Sequence, residues 1–216
     1  MAVVKRTRLS PEQRRAQLID LGEKMLAERP LEQITVEDIA DQAGVSPGLL
    51  FHYFASKHDF HLAIVRHAND EMLAYTAADP SLEKLGDPMR VLRSVLSSYI
   101  DYASENRTCY LSLSRGPASG DPDMQAIFEE TRVVMCERVL EQLRLLAIEP
   151  TSAVVLSVRG WIAYVEEVTI TWLYNPLHNQ RLSRDELIDI AAQALPALAI
   201  AAAPEMAATL QSAIAG

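Results

Sequence analysis

Cysteine is scarce in this chain: two among 216 residues, Cys109 and Cys136, far apart and in no CxxC. That excludes a disulfide scaffold and a thiolate-built zinc site. It points to reduced thiols in a cytoplasmic protein, with redox sensing as the other use of such a pair. Glycine is also sparse, eight residues, and none stands in a P-loop or dinucleotide fingerprint; no G-x-S-x-G occurs either. The longest apolar run, residues 151–174, is interrupted by Arg159, Glu166 and Glu167, charges that a membrane interior tolerates poorly. The first ten residues, MAVVKRTRLS, lack the apolar core of a signal peptide.

Positive charge is short as well. The formal net charge of −9 argues against a protein that coats nucleic acid. The deficit is uneven. Residues 1–60 hold eight Lys and Arg against nine Asp and Glu, and the remainder holds twelve against twenty. The five histidines include one pair at helical spacing, His58 and His61, with no further ligand at finger spacing, so no metal is expected. Glu166 and Glu167 are neighbours about 100° apart on a helix, which is wrong for a paired acid and base. Catalysis and cofactors are therefore not expected. No stretch alternates polar and apolar residues as a half-buried strand would, and at 49% apolar content the chain can bury a real core. The prediction is an all-α fold of about nine helices.

What the chain does have is punctuation. Ser10 to Gln13 forms a capping box with Pro11 at the first helical position, opening a helix that Pro30 stops. Thr35 with Asp38 caps a second helix, whose Val36, Ile39, Ala40 and Ala43 make one apolar stripe, with Ile34 and Ile39 placed as a staple. Gly44 suits the left-handed residue that ends it. Val45 is expected in the core. Ser46 caps and Pro47 opens a third helix, on which Leu50 and Phe54 face one way and Gly48 and His52 the other. Ser56 with Asp59 opens a fourth, running to about Ala78. Two short helices around a Gly-containing turn make a helix-turn-helix, whose second helix would enter a DNA major groove. Pro47, Gly48, Leu49 and His52 are small or flat enough for close approach. Tyr53 and Lys57 flank them and are suited to phosphates, and Thr35 and Ser46 add hydroxyls at the helix starts.

The stretches T-V-E-D-I-A (Thr35–Ala40), A-G-V-S (Ala43–Ser46) and L-F-H-Y-F-x-S-K (Leu50–Lys57) resemble the TetR family of bacterial transcriptional regulators. The resemblance covers roughly the first third of the chain. There are departures. Phe51 stands where the family usually has Tyr, Leu49 where Thr is common, and Pro47 where a polar residue is common. These weaken hydrogen-bonded base readout and favour thymine-methyl contacts and DNA shape. Lys5, Arg6 and Arg8 form a basic arm at 1–9, which reads either as a solvated tail or as an arm that touches DNA backbone or minor groove. The resemblance implies a helix-turn-helix domain at 10–56 and a connecting helix at 56–78. It also implies an effector-binding and dimerisation domain at 80–216.

Within that last region, Asp87-Pro88, Asp121-Pro122, Glu149-Pro150 and Ser183 with Glu186 mark helix boundaries. A short helix is expected at 106–115, a loop at 116–123, and a nearly all-apolar helix at 151–174, ended by Asn175-Pro176. The resemblance implies a two-fold homodimer on the last two long helices, where Ala191, Ala192 and Ala194 allow close approach. It also implies a cavity for a small-molecule effector. Tyr164, Glu167 and Thr171 share one strip with Gly160; Trp161 and Trp172 lie on the next; Tyr99, Tyr102 and Tyr110 would add aromatic walls. Arg159 and Glu166 would pair with each other or meet the partner subunit.

The resulting expectation is a cytoplasmic, sequence-specific DNA-binding regulator, a repressor released from its operator when an effector moves the fourth helix. The competing reading is a helical small-molecule-binding protein or enzyme whose N-terminal motif only packs.

Overall fold

The structure, a computed structural model, describes residues 9–84, 86–146, 149–174 and 182–208. The basic arm at Lys5–Arg8 and the helix end at Asn175-Pro176 lie outside them. Among the described residues there are helices and short 3₁₀ turns and no strand. The helices are α1 (Pro11–Glu28), α2 (Val36–Ala43), α3 (Pro47–Tyr53), α4 (Lys57–Tyr75), α5 (Pro80–Glu83), α6 (Pro88–Glu105), α7 (Arg107–Arg115), α8 (Pro122–Leu145), α9 (Ser152–Tyr174) and α10 (Arg184–Ala202). The expected all-α architecture is present. None of these helices is long and apolar enough to cross a membrane.

The chain forms two compact units. The first runs to Ala68 and takes in Thr108–Gln125, a segment that the sequence alone assigns to the C-terminal region. Long-range contacts hold that segment. The Ala118 N–H donates to the Glu32 carboxylate (3.0 Å), and His58 Nε2 lies 3.0 Å from Asp123 Oδ2. Leu18, Leu26, Ile34, Ile39, Leu50 and Phe54 are essentially water-free and make the core. Phe54 and Phe60 meet edge to face at 4.9 Å, and the Arg15 guanidinium lies over the Phe54 ring at 5.0 Å. Gly22 is required for the approach of α1 to α4, because a Cβ there would lie 2.4 Å from Ile64 Cδ1.

The second unit comprises Asn69–Arg107 and the chain from Ala126 on. Here α10 packs on α9 and α6. Trp161 Nε1 donates to the Ala191 carbonyl (2.8 Å), fixing α9 to α10. Arg184 grips the Asp101 carboxylate with two bonds of 2.6 Å. Arg132 does the same to Glu166 at 2.9–3.0 Å, a fork geometry that holds α8 to α9. Arg159 instead meets Glu129 (2.5 Å), so within the protomer Arg159 and Glu166 pair with residues of α8 and not with each other. Pro80–Glu83 forms a single helical turn, capped by the Asp79 side chain, which accepts from the Ser81 N–H (2.8 Å).

Candidate nucleic-acid interface and cavity

In the first unit the turn between α2 and α3 is built as the residues dictate. Thr35 Oγ1 accepts from the Asp38 N–H (3.1 Å), and Asp38 Oδ2 accepts from the Thr35 N–H (3.4 Å). The Thr35 hydroxyl, with help from Arg29 (2.9 Å), holds the Asp38 carboxyl below its ordinary range. Gly44 ends α2 at φ 65° and ψ 40°, the left-handed region where Cβ is costly. Ser46 starts α3 with its backbone carbonyl, which accepts from the Leu49 N–H (2.9 Å). Its hydroxyl makes no capping bond, contrary to expectation, because Pro47 at the first position supplies the geometry instead. Val45 is half-buried rather than core.

On α3, Leu50 and Phe54 are buried, and Pro47, Gly48 and His52 are exposed together with Ser46. Leu49 and Tyr53 are half-buried at the rim, and the Tyr53 ring meets His52 edge-on at 5.3 Å. Phe51, 55% exposed, belongs to the same outer face. Its place three residues after Gly48 was the signal for it. Lys57 is exposed, its ammonium 3.5 Å from the Glu32 carbonyl. Thr35 is half-buried with its hydroxyl engaged in the α2 cap. The eight residues expected to meet DNA thus divide into an exposed edge (Ser46, Pro47, Gly48, His52, Lys57) and a supporting rim (Thr35, Leu49, Tyr53).

His58 and His61 do not share a site. His58 turns to Asp121 and Asp123 on the surface. His61 is buried, with Nε2 3.1 Å from the Ile34 carbonyl. Burial pushes its pKa below 6.5, so the ring is neutral and donates Nε2–H. A base with a depressed folded-state pKa contributes stability that is present above the unfolded value and lost as pH falls below it. We therefore expect the melting temperature of the wild-type protein to fall as pH drops from about 7 toward 5. In His61→Gln this decline should be shallower; thermal melts across that range check it, and parallel slopes would contradict it. The two thiols are not poised for redox chemistry. Burial, aided by the Glu23 charge, pushes Cys109 up to about 12, and burial also raises Cys136.

The second unit contains a half-open cavity of about 770 Å³, within the range that holds a small organic ligand. Its walls are overwhelmingly apolar and come from α6 (Val91, Leu92, Val95), α8 (Met135, Val139), α9 (Ile162, Val165) and α10 (Leu195). Of the eight residues expected at a ligand, Tyr99 and Trp161 line it. The others are placed elsewhere. Tyr102 meets Tyr75 with the rings tilted by 54° and their centres 5.6 Å apart. Trp172 donates to the Leu182 carbonyl (3.0 Å). Tyr164 is half-buried on α9 away from the lining. Tyr110 belongs to the first unit. Glu167 and Thr171 are exposed, with the Thr171 hydroxyl 3.3 Å from Glu167. The polar strip of α9 faces outward because the side carrying Trp161 and Val165 is the one packed against α10 and the cavity.

That outward side is itself unusual. Leu156 is 72% exposed, and Gly160, Ala163, Glu167, Thr171 and Tyr174 follow it along one exposed line of α9. On α10, Ile190, Ala197, Leu198 and Ala201 are exposed too. Ala191 and Ala192, expected at a subunit contact, are fully buried within the protomer, where their small size admits the Trp161 hydrogen bond. Gly160, Ala163, Ala197 and Ala201 are small residues exposed on these lines.

A helix-turn-helix with an exposed α3 edge, joined to a helical unit with an apolar cavity, defines the class of two-part helical regulators. Family comparison agrees. Residues 18–64 match the model described as bacterial regulatory proteins, tetR family, and residues 88–198 match the Tetracyclin repressor-like C-terminal domain. The chain belongs to the TetR family. Among curated relatives it is similar to the HTH-type transcriptional repressor KstR2 of Mycobacterium tuberculosis, 44% identical over 61 residues, 28% of this chain and 30% of that protein. The match thus spans under a third of that relative's length. Among solved structures it is similar to a tetR-family transcriptional regulator from Streptomyces coelicolor. That pair has a TM-score of 0.78 and 27% identity, covering 96% of this chain and 90% of the other. The fold is also that of FadR from Bacillus subtilis in complex with stearoyl-CoA, at a TM-score of 0.57 and 17% identity, covering 85% of this chain and 97% of that one.

Proposed function

We propose that this protein is a cytoplasmic, sequence-specific DNA-binding transcriptional regulator, a homodimer that represses until a small-molecule effector releases it from its operator. One observation carries the DNA-binding reading. The α3 edge is exposed, small and flat while the opposite side of the same helix is buried, so a groove floor can approach the edge without disturbing the fold. Sequence discrimination then rests on His52, on the apolar Phe51 and Pro47 against thymine methyls, and on DNA shape. Lys57 acts as a phosphate contact. The exposed lines of α9 and α10 carry the large apolar residues Leu156, Tyr174, Ile190 and Leu198 and are suited to join two protomers, since exposed apolar residues of this kind mark interaction surfaces. Two reading heads on one duplex then engage half-sites about one helical turn apart. Effector control is supported by the cavity in the second unit, which also contains the C-terminal part of α4. A ligand that fits the cavity better in one arrangement shifts the population toward it. The ligand of the structurally similar FadR, stearoyl-CoA, is in keeping with an apolar-walled site.

Retardation of promoter-region DNA by the purified protein at moderate salt tests this reading; loss of all sequence preference there would refute it. His52→Ala should weaken specific binding by about tenfold, at roughly 1–3 kcal/mol per good base contact, with less effect on non-specific binding. Lys57→Ala should weaken both and lower the salt slope by about one for each phosphate no longer neutralised. Equal losses on every sequence for both variants would contradict the assigned roles.

A further inference from the structure

Four charged side chains reach the cavity wall: Glu137, Arg138, Glu141 and Glu166. Three of them are matched. Glu166 is held bidentately by Arg132, and Glu137 and Glu141 share Arg144 at 2.6 and 3.0 Å on the exposed side of α8. Arg138 is different. Its guanidinium is partly buried, and no described carboxylate pairs with it. One nitrogen donates to the Leu73 carbonyl (2.9 Å), and the other reaches Thr76 Oγ1 at 3.5 Å, a hydroxyl that already donates to the Met72 carbonyl (2.7 Å). A guanidinium offers five N–H donors, so most of its capacity is unspent. Burial without an acid pushes its pKa down. An isolated cation at an apolar wall is costly unless an anion joins it. The last turn of α4 supplies only the partial negative charge of its carbonyls.

Resting on the reading of this cavity as an effector site, we propose that its ligand is an amphiphilic carboxylic acid whose apolar chain fills the cavity and whose carboxylate is received by Arg138. A carboxylate forms two parallel, charge-assisted bonds to a guanidinium, stronger than the single bond to a neutral carbonyl. In turning toward the carboxylate, Arg138 leaves the Leu73 carbonyl, and the last turn of α4 loses its side-chain anchor. Arg138 is both the recognition group and the point where occupancy reaches α4. The cavity walls select for the chain, Arg138 for the charge.

Calorimetric titration of the full-length protein with dodecanoate and with dodecanol tests this. The wild type should bind the acid at least about tenfold more tightly than the alcohol, as expected for a charge-assisted pair over a neutral one. Arg138→Gln should erase that preference while keeping alcohol binding, and Arg138→Lys should keep part of it. Equal affinity of the wild type for acid and alcohol would overturn the proposal and leave the cavity reading standing. Binding of neither would count against the cavity reading and this proposal together. Retained acid preference in Arg138→Gln would also overturn it. Amide exchange needs no variant: the acid, and not the alcohol, should speed exchange in residues 72–76. Unchanged exchange there with acid bound would remove the link to α4.

Discussion

Gly160→Arg turns the protein into a monomer and weakens operator binding by about 100-fold or more, the scale at which joining two modules raises apparent affinity. Gly160 lies on the exposed line of α9, and a Cβ placed on it meets nothing within 4 Å. The variant protomer therefore has room for the new side chain. Replacing a mid-helix glycine also gains up to about 1 kcal/mol of helix propensity. The protomer should melt no lower than the wild type when both are compared as monomers. A second chain apposed at this line would meet a long charged side chain where it had none. Sedimentation and gel retardation on the same samples read the two effects. A variant that stays dimeric, or a monomer that holds its operator as tightly as the wild type, would contradict the placement of the interface.

Gly48→Glu abolishes specific DNA binding while leaving dimerisation and folding intact. Gly48 is exposed in the first turn of α3, and open space surrounds its Cβ position. Nothing in the protein resists the longer side chain. Against DNA the new carboxylate faces phosphates and acceptor-rich base edges. Like charge in apposition costs several kcal/mol, and a dimer incurs it twice. Loss by more than about 100-fold is expected at moderate salt. Wild-type helical content and mass in solution, together with absent retardation, make the expected result. Binding within a fewfold of the wild type would mean that α3 does not approach the groove through this edge.

The local grammar of this chain was legible in its residues. The box of Thr35 and Asp38, the left-handed Gly44, Pro47 at the start of α3 and the burial of Leu50 and Phe54 all follow from interactions within a few positions. What local patterns could not give was pairing across the chain. Ala118 joins the first unit through Glu32, 86 residues away, and no periodicity announces such a bond. The orientation of α9 was hidden for a related reason. A helix apolar nearly all round carries little information about which side its neighbours will cover. The polar strip of Glu167 and Thr171 proved to be the exposed side, and the cavity took Tyr99 and Trp161 but not Tyr102 or Trp172. Arg138 carries no signal in the sequence because its significance is the lack of an acid partner, which only the packing of α8 beside α4 reveals.

In the proposed function, two α3 edges read successive grooves of one duplex. Selection of binding sites by the purified protein from a pool of random duplexes tests that most directly. The prediction is an enriched two-fold symmetric sequence whose half-sites are separated by about one helical turn or a multiple of it, ~10 base pairs or its multiples. Gly48→Glu should enrich nothing. A pool that stays random at moderate salt, or an enriched sequence that Gly48→Glu selects equally well, would contradict it.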